Sequence, residues 1–174
     1  MKISIRNRCP HYTSYRAARV QSLFNAESGQ AFDLDAELDI DDDGWQVGVI
    51  VGPSGSGKTS MGREILGADA LWTGGDWPDD APIVDAIAPN GDFNDVTAAL
   101  SAVGLGSVPS WLRPYGVLSN GEKFRAELAR IVAEEPARVV IDEFTSVVDR
   151  QIAKIGALAF QKAWRRTKGK AVLL

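Results

Sequence analysis

Gly52-Pro53-Ser54-Gly55-Ser56-Gly57-Lys58-Thr59 follows directly on the apolar run Val47-Gly48-Val49-Ile50-Val51. The run reads as a buried strand, and the octet as a phosphate-binding loop (P-loop) opening a helix near Lys58. Such a loop needs its glycines because the backbone must curl around phosphates with several N–H groups turned inward, where side chains would block the approach. Lys58 then reaches the β- and γ-phosphates, Thr59 offers its hydroxyl to Mg2+, and the helix start adds a positive dipole end. The ligand implied is a nucleoside triphosphate, bound by Gly52, Pro53, Ser54, Gly55, Ser56, Gly57, Lys58, Thr59 and Ser60.

The chain has 174 residues, 45% of them hydrophobic, which suits one α/β domain with a sizeable core. No run approaches the roughly 20 apolar residues of a membrane span, and the start does not resemble a signal peptide, so a soluble, cytoplasmic protein is expected. Cys9, the single cysteine, has no internal disulfide partner, and His11, the lone histidine, has no partners at metal-site spacing.

The net charge of -4 is unevenly spread. Lys2, Arg6, Arg8, Arg16 and Arg19 make residues 1–19 a basic N-terminal arm, while Val20 to Gly57 contains no Lys or Arg and crowds Asp33, Asp35, Glu37, Asp39, Asp41, Asp42 and Asp43 together. A basic arm suits either a solvated face or a nucleic acid or acidic partner. Arg165, Arg166, Lys168 and Lys170 close a predicted helix, where cations favour the dipole.

From Phe32 to Asp41 apolar and acidic residues alternate, which predicts a strand with one wet face, joined to the Val47–Val51 strand by the Asp41-Asp42-Asp43-Gly44 turn. The ligand spacing and distant Glu of a calcium loop are missing from that turn. Gly67 to Pro89 reads as loops around a short strand at Ile83 to Ile87, followed by a helix from Asp95 to Val103. Ser119 opens a helix to about Glu134, and Ser119 and Glu122 have capping-box spacing. Arg138 to Asp142 is a second buried strand, Asp149 to Trp164 a long helix, and Ala171 to Leu174 a third core strand. This order predicts a doubly wound, mainly parallel sheet with helices on both faces and antiparallel strands at the N-terminal side.

Val139-Val140-Ile141-Asp142-Glu143 is an apolar strand ending in two carboxylates, the form of a Walker B segment. Ligands of open α/β sheets lie beyond the carboxyl ends of strands, which puts Asp142 and Glu143 near the P-loop mouth. Asp142 then holds Mg2+, and Glu143, pointing to the other side of the strand path, orients or deprotonates a water. Leu118-Ser119-Asn120-Gly121-Glu122 resembles the LSGGQ signature of ATP-binding cassette (ABC) ATPases, and Ser146-Val147-Val148-Asp149 resembles their D-loop. Taken alone, Ser119 and Glu122 read rather as a helix cap; both Walker segments and the D-loop turn the reading to the signature.

The resemblance covers residues 20–174 and implies a P-loop NTPase domain with a short helical lobe, binding ATP and Mg2+ and hydrolysing ATP in a head-to-tail homodimer. It implies that Ser119 and Gly121 bind the ATP held by the other subunit. It also implies an aromatic residue upstream of the P-loop stacked on adenine, at Phe24, with Tyr12 and Tyr15 as alternatives. Asn120 and Glu122 depart from the usual Gly and Gln. No Gln lies between Gly57 and Leu118, so Asp85 is the candidate for the missing Mg2+-linking glutamine. The switch histidine expected beyond Ala171 has no counterpart, which suggests a domain truncated before that region. Asp142 to Arg150, with Phe144 where most relatives have Pro, resembles soluble cassette ATPases joined to an acetyltransferase domain. A transporter's nucleotide-binding subunit, a P-loop small-molecule kinase and a nucleotide-gated DNA clamp are the competing readings.

Overall fold

The computed structural model describes residues 1–10, 12–25, 31–40 and 44–174, so His11 and the Asp41-Asp42-Asp43 part of the expected turn lie outside the described residues. Strand β1 (Lys2–Arg8) leads to helix α1 (Tyr15–Phe24) and strand β2 (Ala31–Glu37). Strand β3 (Val47–Val49) precedes the P-loop and helix α2 (Lys58–Leu66), and strand β4 (Leu71–Trp72) follows. Helices α3 (Ile83–Ala86), α4 (Phe93–Ala102) and α5 (Val108–Trp111) lead to the long α6 (Asn120–Glu134). Strand β5 (Arg138–Ile141), helix α7 (Arg150–Trp164) and strand β6 (Lys170–Leu173) follow in turn.

β3, β6, β5 and β4 lie side by side in that order, all parallel. Among the described residues β3 therefore has a sheet partner on one side only, and Val49 and Val51 are 65% and 86% exposed. Successive side chains of a strand point to opposite faces. Val139, Ile141, Ala171 and Leu173 accordingly join the large core with Leu128 of α6 and Phe160 and Trp164 of α7, while Val140 and Val172 meet Leu66 of α2 across the sheet. Helices cover both faces, as the order of apolar runs predicts. Each fully buried Leu, Phe or Ile contributes about 1.5–3 kcal/mol. Gly62 lets α2 come close, since a Cβ there would stand 2.8 Å from Val140 Cγ1.

The acidic alternating strand pairs differently from expectation. Phe32, Leu34, Ala36, Leu38 and Ile40 are half-buried and the acids between them exposed, as predicted, but β2 forms an antiparallel ladder with β1 rather than a hairpin with β3. Electrostatics and burial both select this partner. Ile3 and Ile5 of β1 are buried, Arg6 binds both oxygens of Asp35 at 2.7 Å, Ser4 donates to Asp35, and Arg8 pairs with Asp33. Residues 2–8 of the stretch read as an arm are thus a strand, and α1 runs across the boundary drawn after Arg19. Ile83 to Ile87, expected as a strand, is a helical turn in which the Ile87 amide donates to the Ile83 carbonyl, putting both fully buried isoleucines on one face. The strand of that region is instead β4, two residues beside β5.

Candidate functional site

α2 starts at the P-loop with Gly57, φ 84°, in the left-handed region. A Cβ there would lie 2.6 Å from Cζ of Phe32, so that aromatic ring lies against the loop. Asn7 of β1 donates to the Ser60 hydroxyl at 2.8 Å, so the two-stranded sheet braces the first turn of α2. Lys58 Nζ donates to the Gly52 and Pro53 carbonyls of its own loop, at 3.2 and 3.1 Å. Gly52, Pro53, Ser54 and Gly55 are exposed, while Ser56 and Gly57 are half-buried.

Asp142 and Glu143 follow immediately on β5. The Thr59 hydroxyl donates to Asp142 Oδ2 at 2.7 Å, and the Glu143 amide donates to Oδ1 at 2.9 Å, so both carboxylate oxygens are oriented. Glu143 is exposed with φ 48°. Its side chain is therefore directed by a left-handed turn after the strand has ended, and not by strand alternation as expected. A non-glycine residue in this conformation is uncommon and costs about 1–3 kcal/mol; Asn25 and Glu135 adopt it as helix C-caps, whereas Glu143 adopts it just after a strand.

Ser119 caps α6 with the full reciprocal box: its hydroxyl receives the Glu122 amide, and Glu122 receives the Ser119 amide and hydroxyl at 2.9 and 2.7 Å. Ser110 of α5 donates to the other Glu122 oxygen at 2.5 Å. These bonds, Ser110 first and then Ser119, hold the Glu122 carboxyl at about 2, well below its ordinary 4.5. Asp149 caps α7 by accepting from the Gln151 and Ile152 amides.

Between β4, α6 and the end of β5 lies a cavity of about 480 Å3, lined among others by Thr73, Gly74, Asn120, Lys123, Asp142 and Glu143. It brings the α6 start and Walker B carboxylates to one space. Phe24 is 75% exposed at the end of α1, and Tyr12 and Tyr15 are also exposed. Asp85 lines a separate cleft with Val84, Ala88, Pro89, Gly91, Phe93 and Val96, so the structure does not bring it to the Thr59–Asp142 pair. Phe32, Thr73 and Gly74 were not read as site residues. The signal for Phe32 was its place at the start of the alternating strand; a two-residue β4 left none for Thr73.

Comparisons with known proteins bear on the family and the fold. No protein-family model matches the chain. A cytochrome c biogenesis ATP-binding export protein of Rhodopseudomonas palustris is 32% identical over 144 residues, 67% of this chain and 71% of that protein. The chain belongs to the ATP-binding cassette family. A zinc import ATP-binding protein of Pseudomonas aeruginosa is also 32% identical, over 77% of this chain and 55% of its own length. An uncharacterized ABC transporter ATP-binding protein of Mycobacterium tuberculosis is 44% identical over 63 residues, 36% of this chain; the chain spans 9% of that protein. Among solved structures, an ABC transporter ATP-binding protein from Pyrococcus furiosus aligns over the whole chain and 91% of its own, with a TM-score of 0.59 at 15% identity, a likeness of fold. An inward-facing metal-chelate type ABC transporter aligns with a TM-score of 0.55 at 16% identity, over 98% of this chain and 71% of that one.

The nucleotide of an ABC ATPase arrives with Mg2+. Among the described residues no group of three or more His, Cys, Asp or Glu is arranged to hold a metal. The Thr59 hydroxyl and Asp142 carboxylate fit Mg2+ nonetheless, because this ion takes one or two carboxylates and completes its shell with waters and substrate phosphates. Held by Thr59 and Asp142, Mg2+ would neutralise charge on the phosphates. In this structure Lys58 is held by its own loop carbonyls, and Glu143 is exposed beside the Asp142 carboxylate.

Proposed function

We propose that this ABC ATPase hydrolyses Mg-ATP as a soluble, non-transport module, two copies closing head to tail around two nucleotides. One observation supports the reading: Thr59 and Asp142, 83 residues apart, meet at 2.7 Å, the pair that would hold a phosphate-bound ion. Lys58 and the amides of Gly52 to Gly57 stabilise charge on the transferred phosphoryl group, and Glu143 orients and deprotonates the water. Ser119 and Gly121, at the capped N-terminus of α6, contact the γ-phosphate held by the other copy. Asp149 couples the two sites, and the exposed ring of Phe24 takes the adenine. Asp85 has no part in this reading. The Phe144-containing turn supports kinship with ATPases joined to an acetyltransferase domain, whereas the engagement of Arg6 and Arg8 by Asp35 and Asp33 draws weight away from nucleic acid.

The test is the mass in solution of Glu143→Gln with and without Mg-ATP. The mass doubles with nucleotide if the reading holds; a variant that binds ATP and stays monomeric overturns the head-to-tail dimer. A second reading, the nucleotide-binding subunit of a transporter, is favoured by the export and import roles named for two relatives. It predicts co-purification with a membrane protein. No helix among the described residues is long and apolar enough to cross a membrane, so transport would need that partner.

A further inference from the structure

One carboxylate gathers an unusual set of donors. Glu127, half-buried on α6, accepts from the indole N–H of Trp72 at 3.0 Å, the Gly75 amide at 3.1 Å and the indole N–H of Trp77 at 2.7 Å. Trp72 ends β4, beside Ile141 of β5, and Gly75 and Trp77 belong to the loop that β4 feeds. That loop begins at Thr73 and Gly74, which share the cavity of Asp142 and Glu143. Around the carboxylate, Trp77 stacks on Tyr115 at 4.7 Å, and Arg130 lies over Trp77 at 4.9 Å while donating to the Asp76 carbonyl. Burial first, and then the negative charge of Glu127, push the Tyr115 hydroxyl's pKa up, which keeps the phenol neutral.

Glu127 sits eight residues beyond the Ser119 cap, about 12 Å along the same helix. A rigid helix ties the two ends together: Ser119 cannot shift relative to the Walker B wall unless Trp72, Gly75 and Trp77 shift with it or leave Glu127. We infer that Glu127 is a positioning residue, joining the signature end of α6 to the loop that walls Asp142 and Glu143, so that engagement of Ser119 is transmitted to the hydrolytic side of the site. A carboxylate suits this role because it accepts several donors at once; a glutamine in its place offers one acceptor oxygen and turns an N–H2 group toward donors.

This rests on the ATPase reading above. The experiment is a steady-state cycle of Glu127→Gln, Ser119→Ala and the double variant, with Mg-ATP affinity measured separately and Lys58→Ala alongside. Glu127→Gln should lower kcat about tenfold while Mg-ATP affinity stays within about twofold, and the double variant should lose no more than the worse single one, because the two residues act along one path. Glu127→Asp, which keeps the charge, should recover part of kcat. Losses that multiply, an unchanged kcat, or affinity and melting temperature falling in step with kcat would overturn the inference and leave the ATPase reading intact. Turnover that survives Lys58→Ala would instead overturn the reading itself, and the inference with it.

Discussion

Ser119 holds two positions in one side chain: it closes the first turn of α6 and is the residue proposed to meet an incoming phosphate. Its hydroxyl is engaged by Glu122, whose charge stands at the helix end that favours anions. Replacing that charge with an amide is expected to weaken the cap slightly and ease the approach of phosphate. Glu122→Gln, made in the Glu143→Gln protein, should tighten ATP-driven association about two- to fivefold by analytical ultracentrifugation, and weaker association would count against a contact there. The pH dependence follows from the same bonds. Glu122 is held at about 2, below its ordinary 4.5, so its contribution is complete above the ordinary value and is lost as pH falls through about 2. Amide exchange at the start of α6 should rise over that window. Lys58 makes the plainest case, because its ammonium group donates to carbonyls of its own loop; Lys58→Ala should lower Mg-ATP affinity by about a hundredfold or more, measured by equilibrium dialysis.

α2 and the β1–β2 ladder each hold the P-loop from one side. Gly62→Ala would drive a methyl group toward Val140 Cγ1, and is expected to cost about 1–3 kcal/mol in chemical denaturation despite the better helix propensity of alanine. The ladder should respond to acid. Asp33 is held below the ordinary carboxylate range chiefly by Arg8, and Asp35 by Ser4 and then Arg6, so the pairing is complete above that range and loosens as pH falls beneath it. Hydrogen exchange in residues 2–8 should accelerate there before exchange in β5 does. Elements whose signal is local were legible: the P-loop, the β5 run and the Ser119 cap could be read directly because glycine pattern, apolar continuity and capping spacing are properties of neighbouring residues. What escaped depended on partners distant in the chain. β2 could be read as a strand, yet nothing local names β1 as its partner, and Ile83 to Ile87 fits strand and helix patterns alike in its isoleucines; Asp85, which a strand would put on their face, is exposed while Ala86 is buried, and that is helical. The Glu127 cluster spans α6 and β4, so no spacing rule reaches it.

At the scale of the molecule a chain of aromatic contacts, Phe124 to Phe144 at 5.5 Å, Phe144 to Phe160 at 6.1 Å and Phe160 to Trp164 at 5.4 Å, runs from α6 through the turn after Walker B to α7. Phe144 lies one residue from Glu143 and is itself buried, so the turn that carries the Glu143 carboxylate is fixed by the core beneath it. The phosphate cradle has less support. It hangs from β3, which borders β6 on one side and has no neighbour in the sheet on the other among the described residues, with Val49 and Val51 bare. A strand with one open margin is a template for any extended backbone that meets it. The protein's colloidal behaviour and its nucleotide affinity should thereby be linked: an occupied cradle is expected to steady the strand that leads into it, so withdrawing ATP should promote self-association through the open margin of β3, next to the loop that binds the nucleotide.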